Sequence, residues 1–158
     1  MEIETNRLLL RPLQTDDITS LVNIWLDPDV TTFMGGPRNK TSLVEGFKED
    51  VHNPSTQIDD LWPVIEKASS EGVGHCGLLE KDIEGKKETE LIYIFHKRAW
   101  GKQYASEIGQ ALIKHAEKNL RLYKLIALIN PKNVASEKVA IKLGMQFFKQ
   151  YYDQMVKK

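Results

Sequence analysis

The spacing of apolar positions changes several times along the chain. RLLLRPL, Arg7 to Leu13, is a short apolar run that predicts a first strand, ended by Pro12 and a polar turn. The period then becomes helical, with Ile18, Leu21, Val22 and Trp25 on one face. Thr15 with Asp16 and Asp17 is expected to cap this helix, and Pro28 marks its end. GGPRNKT, Gly35 to Thr41, leads into a second helix from about Thr41 to Val51, whose inner face carries Leu43, Val44, Phe47 and Val51.

The centre switches to strand-like runs. LWPVIEKA (Leu61 to Ala68), HCGLLEKD (His75 to Asp82) and ETELIYIF (Glu88 to Phe95) are separated by the turn sequences SSEG and EGKK, which predicts an antiparallel meander. A helix over about Ser106 to Leu122 follows, with Ile108, Leu112, Ala116 and Leu120 as its apolar stripe. KLIALIN (Lys124 to Asn130) predicts another strand, and a helix from Val134 to Leu143 stops at Gly144, a residue suited to a left-handed helix end. MQFFKQYY, Met145 to Tyr152, is expected to be the final strand.

This order implies a mixed α/β (α+β) fold, with a mostly antiparallel central sheet flanked by helices. LIYIF (Leu91 to Phe95) and LIALI (Leu125 to Ile129) are apolar on both faces, as covered central strands are. A helix of about four turns joins them, so they are expected to run parallel.

Composition narrows the classes. With 158 residues the chain is the size of one domain, and no repeat or Pro/Gly/Ser-rich linker divides 1–158. Lys plus Arg number 22 and Asp plus Glu 22, so no net field draws nucleic acid or an acidic membrane surface, and neither partner is expected. The single cysteine, Cys76, cannot form an internal disulfide, and no secretory leader or long apolar span is visible, which predicts a reduced, cytoplasmic, soluble protein. No Cys/His cluster has metal-ligand spacing, so no metal is expected.

One loop carries chemistry. AWGKQYASE, Ala99 to Glu107, joins LIYIF to a helix start, an arrangement that can hold a phosphate on the unpaired N–H groups of the first helical turn. Yet it contains a single glycine, Gly101. FHKRAWGKQYASE is similar to the acetyl-CoA-binding loop of the GNAT N-acetyltransferases. INPKNVASEKVAIKLGMQF, Ile129 to Phe147, resembles the later motif of the same family, in which an Asn and a Ser three residues on open the last helix. Trp-Gly-Lys-Gly-Tyr-Ala is the loop favoured by the Rim-type ribosomal-protein N-terminal acetyltransferases, which this chain resembles most; the resemblance covers most of the chain, including ETNRLLLRPL.

The resemblance implies a sheet with one parallel strand pair splayed for the cofactor, and it assigns roles. Trp100, Gly101, Lys102, Gln103, Tyr104 and Ala105 form the pyrophosphate loop, with Gln103 where the family has its first glycine. If position 103 has negative φ the cradle is undisturbed; if φ is positive, Gln103 costs about 1 kcal/mol or more. The main chain of Tyr93, Ile94 and Phe95 would pair with the pantetheine arm, and an N–H there would stabilise the developing oxyanion. Asn133 would bond the pantetheine amides, besides its plain reading as a helix cap, and Ser136 would lie near the sulfur, where its hydroxyl could protonate the departing thiolate.

Glu90 leads as the base that removes the amine proton, because the Rim-type pattern Glu-Leu-Gly-Tyr matches Glu-Leu-Ile-Tyr here; a solvent-facing carboxylate at a strand end is its plain reading. His75 and His96 flank the region as packed or hydrogen-bonded residues, and Trp25 and Trp62 as core or acceptor-pocket walls. His75 and Cys76 should point to opposite faces of a strand, which argues against a catalytic pair and for direct transfer. The expected function is acetyl transfer from acetyl-CoA to a primary amine, of a protein N-terminus or a small molecule. GGPRNKT and the stretch from Asn53 to Asp60 are expected to shape the acceptor pocket. A catalytically silent acyl-CoA-binding regulator is the other reading. The family usually has a further strand after the one predicted at MQFFKQYY, so a sheet edge is left for more chain or for a second copy in a homodimer.

Overall fold

The structure, a computed structural model, describes residues 2–53 and 60–148. The chain opens with a hairpin, β1 (Ile3–Glu4) and β2 (Leu8–Leu10), and a tight turn over Thr15–Asp17 runs into α1 (Ile18–Leu26). The cap differs from the expected one. Because the helix starts in a 3-10 turn, the boundary falls at Gln14, whose N–H donates to Asp17 Oδ2 at 2.8 Å, and Arg11 grips the same carboxylate with Nη1 and Nη2 at 2.8 and 3.0 Å. α2 (Lys40–His52) is capped by Asn39, whose Oδ1 accepts from the Ser42 N–H at 3.0 Å.

β3 (Asp60–Glu66), β4 (Glu71–Ile83) and β5 (Lys86–Phe95) form the predicted meander, and the sheet runs β1-β2-β3-β4-β5, antiparallel at each step. Glu84 and Gly85 both take positive φ, at 50° and 82°, the signature of a two-residue turn that matches strand twist. That turn sets Ile83 opposite Lys86, so β5 begins earlier than the apolar run alone predicts.

Side-chain alternation divides the core between the faces of this sheet. On one lie Leu8, Leu10, Val64, Cys76, Leu91 and Phe95 against Ile108, Leu112 and Ala116 of α3 (Tyr104–Asn119), the predicted stripe. On the other, Ile94 packs with Leu21, Ile24 and Trp25 of α1 and Phe47 of α2. α4 (Val134–Lys142) ends as predicted, with Gly144 at φ 91° and the Met145 N–H donating to Ala140 O at 2.9 Å.

One predicted strand is not formed, and only half of another lies in the described residues. Residues 124–130 make one parallel bridge, Ile126 to Glu90, and no ladder. Leu125 to Ile129 are half-buried, so the chain here lacks the cover on both faces that would hold a central strand. Met145 to Phe148 are not in a strand, and Phe147 and Phe148 are largely exposed; the remainder of MQFFKQYY lies outside the described residues, as does most of the stretch from Asn53 to Asp60. No described helix is long and apolar enough to cross a membrane.

Candidate active site

The single parallel bridge creates the site's central feature. The Leu91 N–H donates to Ile126 O at 2.8 Å and the Ile126 N–H to Thr89 O at 2.9 Å, and beyond Leu91 no further main-chain bond joins the two segments. Within a strand, alternate residues direct their N–H and C=O to the same side. Since Thr89 and Leu91 use theirs toward Ile126, the main chain of Tyr93 and Phe95 faces the opened edge, while Ile94 pairs with His75 on β4. The Phe95 carbonyl receives the Trp100 Nε1–H at 3.1 Å, and the indole is half exposed.

The loop from Trp100 to Gln103 then delivers the chain to α3. The question left by the lone glycine is resolved by dihedral angles: Gly101 has φ 79° and Gln103 φ 62°, both left-handed. Gln103 therefore occupies a glycine-favouring conformation, at a cost of about 1–2 kcal/mol. No side chain caps the helix that begins at Tyr104, so among the described residues the first-turn N–H groups, including that of Ala105, have no side-chain capping partner. Charge arrives from distant segments. Arg7 Nη2 donates to Lys102 O at 2.9 Å while its Nε meets Glu107 Oε1 at 2.7 Å, fastening both ends of the loop to the first hairpin. Lys142 at the end of α4 donates to the Gln103 side-chain carbonyl. Gln103 is thus also a tie between loop and helix, a role that the local pattern did not predict because its partner is far along the chain.

Across the opened edge sits the start of α4. Asn133 Oδ1 accepts from the Ser136 N–H at 3.1 Å, which is the plain capping role and leaves its amide N–H groups for another partner. The Tyr93 hydroxyl donates to Ser136 O at 3.1 Å and lies 3.2 Å from Ser136 Oγ. Burial raises the Tyr93 pKa, so the phenol stays protonated at neutral pH. Tyr93, expected to contribute main chain only, thus also places a hydroxyl beside Ser136.

Glu90 is in the interior of β5 and buried, so its reading as a solvent-facing strand end does not hold. Lys81 Nζ lies 3.7 Å from its Oε1. By alternation its side chain is on the α1/α2 face with Ile94, the face opposite Tyr93 and Ser136. The structure therefore separates Glu90 and Ser136 by the thickness of the sheet. His75 is also on the α1/α2 face: its Nδ1 accepts from Trp25 Nε1 at 3.0 Å, Trp25 and Phe47 pack edge-on to it, and burial lowers its pKa to about 4. It is a neutral, fully engaged imidazole. Cys76 faces the other side, wholly buried, with burial pushing its thiol up to about 12. His96 Nε2 lies 3.1 Å from Ser20 Oγ; that hydroxyl gives its own proton to Gly72 O at 2.9 Å, so His96 is the donor.

A cavity of about 360 Å³ opens on the α1/α2 face, lined by Trp25, Arg38, Asn39, Ser42, Leu43, Phe47 and His75. That volume is within the range of small-molecule pockets. Arg38 and Asn39 come from the GGPRNKT segment, as expected for an acceptor pocket, and Trp25 serves as both core and wall. Among the described residues, no group of three or more His, Cys, Asp or Glu side chains is placed to hold a metal ion.

Comparison with known proteins agrees with this geometry. Residues 7–146 match the acetyltransferase (GNAT) domain. The uncharacterised protein YkkB of Bacillus subtilis is 32% identical over 94% of this chain and 87% of its own length. An uncharacterised N-acetyltransferase, p20, of Bacillus licheniformis is 31% identical over 90% of this chain and 80% of its own. Among solved structures, a GNAT-family acetyltransferase from Bacillus anthracis superposes with a TM-score of 0.78 at 26% identity, covering 92% of this chain and 84% of that one.

Proposed function

This chain belongs to the GNAT acetyltransferase family and is an acetyltransferase, and on that premise we propose that it moves the acetyl group of acetyl-CoA to a primary amine by direct transfer in a ternary complex. The amine is that of a protein N-terminus or a small molecule. The observation that carries the reading is the juxtaposition of an uncapped helix N-terminus at Tyr104 with a strand edge opened beyond Leu91. The Trp100–Ala105 sequence supports a place near the Rim-type branch. In this reading residues 1–158 work as one domain, in the cytoplasm.

Acetyl-CoA, when bound, supplies an activated acyl thioester. The N–H groups of Gln103, Tyr104 and Ala105, with Lys102 beside them, hold its pyrophosphate. The main chain of Tyr93 and the Phe95 N–H hold the pantetheine arm as an added strand; the Phe95 carbonyl shares its second lone pair or gives up the Trp100 indole. Asn133 reaches the arm's amides with the N–H groups its capping oxygen leaves over. An N–H on the opened edge polarises the acyl carbonyl, a contribution of about 3 kcal/mol for a well-placed donor. The amine nitrogen forms the new C–N bond as the C–S bond breaks and the electron pair leaves on sulfur. The nitrogen loses its proton to solvent or to a carboxylate, for which Glu90 is the candidate, and the thiolate collects one from the Ser136 hydroxyl, held beside Tyr93 and reprotonated from solvent in the same step.

Titration calorimetry with CoA and acetyl-CoA at millimolar concentration, joined to thiol release with a panel of amines, tests this. Heat with both ligands and amine-dependent thiol release are expected. Absence of heat with either ligand would end the reading; heat without turnover on any amine would favour a binding-only protein.

A further inference from the structure

The cavity on the α1/α2 face has a definite charge. Its walls are the apolar Trp25, Leu43 and Phe47 and the neutral His75, whose Nδ1 is already bonded to Trp25; its polar lining is Arg38, Asn39 and Ser42. Among the described residues, no Asp or Glu lines it. Asn39 spends its oxygen on the Ser42 N–H. Arg38 is therefore the only formal charge among the described lining residues, and it is not placed at random. Its N–H donates to Trp25 O at 2.9 Å, its Nη1 donates to Gly36 O at 2.7 Å, and its guanidinium lies over the Trp25 ring, 5.1 Å from the centroid. These contacts use few of the five guanidinium donors. No ion pair joins Arg38 to a carboxylate among the described residues. The neighbouring space that holds Asp50 and Asp60, behind Phe47 and His75, measures about 20 Å³, room for about one water and no ligand chain.

Placement relative to the chemistry is also set. His75 on the wall pairs with Ile94 of β5, and the residues either side of Ile94 present their main chain to the opened edge. The cavity wall at His75 is thus one strand spacing, roughly 4.8 Å, from β5, whose far edge borders the gap where the thioester lies in the reading above.

We propose that the acceptor is a small amine carrying a carboxylate, and that Arg38 selects it by a charge-assisted hydrogen bond while the amine reaches toward the opened edge of β5. This rests on the acetyl transfer proposed above. That chemistry disfavours polyamines as acceptors, since a second ammonium would meet a guanidinium in a cavity whose described lining holds no carboxylate.

The test uses ω-amino acids from β-alanine to 6-aminohexanoate, each against its primary amide, with spermidine and a dipeptide bearing an acidic second residue as further arms. Thiol release gives kcat and KM for the native chain, Arg38→Gln and Arg38→Lys. Comparing each variant with the native chain on the same acceptor cancels the different basicities of acid and amide. Arg38→Gln is expected to raise KM for the acids about tenfold or more with kcat within about threefold, to leave the amides within about twofold, and to be partly rescued by Arg38→Lys. A response confined to the dipeptide would assign the site to peptide termini and overturn the small-molecule acceptor. Equal effects on acids and amides, or a preference for spermidine, would overturn the role of Arg38 while leaving acetyl transfer intact. CoA binding without turnover of any acceptor would instead sink both readings. CoA calorimetry on each variant reports that the fold is retained, because Arg38 is on the surface and outside the cofactor loop.

Discussion

His75 offers a quantitative test of how the acceptor face is held together. The imidazole is buried, accepts the Trp25 indole N–H at 3.0 Å and is flanked by the Trp25 and Phe47 rings, and burial lowers its pKa from 6.5 to about 4. Because the folded value is depressed, the unfolded chain takes up the proton first as the pH falls. Its contribution is fully present above about pH 6.5 and is lost progressively between about 6.5 and about 4. Integrated over that window, the difference amounts to about 3 kcal/mol, a large share of the stability of an ordinary domain. Replacing His75 with Gln keeps an acceptor for the indole and removes the titration. Urea unfolding followed by tryptophan fluorescence, repeated from pH 8 to pH 4 on both proteins, isolates the effect, since the other histidines and the carboxylates cancel in the difference. The stability advantage of the native chain over His75→Gln should shrink by about 3 kcal/mol across this range. Parallel curves would refute the reasoning and mean that the imidazole is charged or solvated in the folded state.

Three other outcomes bear on the cofactor side. Gln103→Gly relieves a φ of 62° but gives up the Lys142 tie and adds unfolded-state freedom, terms of about 1 kcal/mol each, so melting should move by only a few degrees. CoA affinity by calorimetry should be at least as high as in the native chain; a tenfold loss would make the Gln103 side chain a ligand or an essential brace. Asn133→Ala removes the cap of α4 and should cost about 1 kcal/mol in chemical unfolding together with a several-fold weaker CoA affinity. If only stability fell, Asn133 would be a cap and nothing more. Cys76→Ser should keep turnover within a few-fold, because a buried thiol with its pKa near 12 is no nucleophile at neutral pH. A stoichiometric acetyl adduct on the native protein, seen by mass spectrometry after acetyl-CoA alone, would contradict direct transfer.

Much of this protein was legible in the order of its residues, because local structure depends on near neighbours. The helical spacing of Ile18, Leu21, Val22 and Trp25 and of Ile108, Leu112 and Ala116 placed α1 and α3, and the turn sequences placed the meander. Gly144 ended α4, and the loop from Trp100 to Ala105 with Asn133 and Ser136 pointed to the family. Tertiary structure decided what depends on where distant segments meet. An apolar run at LIALI reads as a strand from its composition, yet whether it pairs depends on cover from other elements, and among the described residues it makes one bridge, at Ile126. Gln103 reads as an awkward substitution until its positive φ and its tie to Lys142 are seen together. Arg7 is about a hundred residues from Glu107, and no local pattern could announce that it anchors the cofactor loop. Likewise the stacking of Arg38 on Trp25, which gives the acceptor cavity its charge, joins a loop to a helix whose position is fixed only when α1 packs on α2 and the sheet. Periodicity encodes which face of an element is buried; contacts between faces are selected by the assembled core, and the chemistry of this site lies in those contacts.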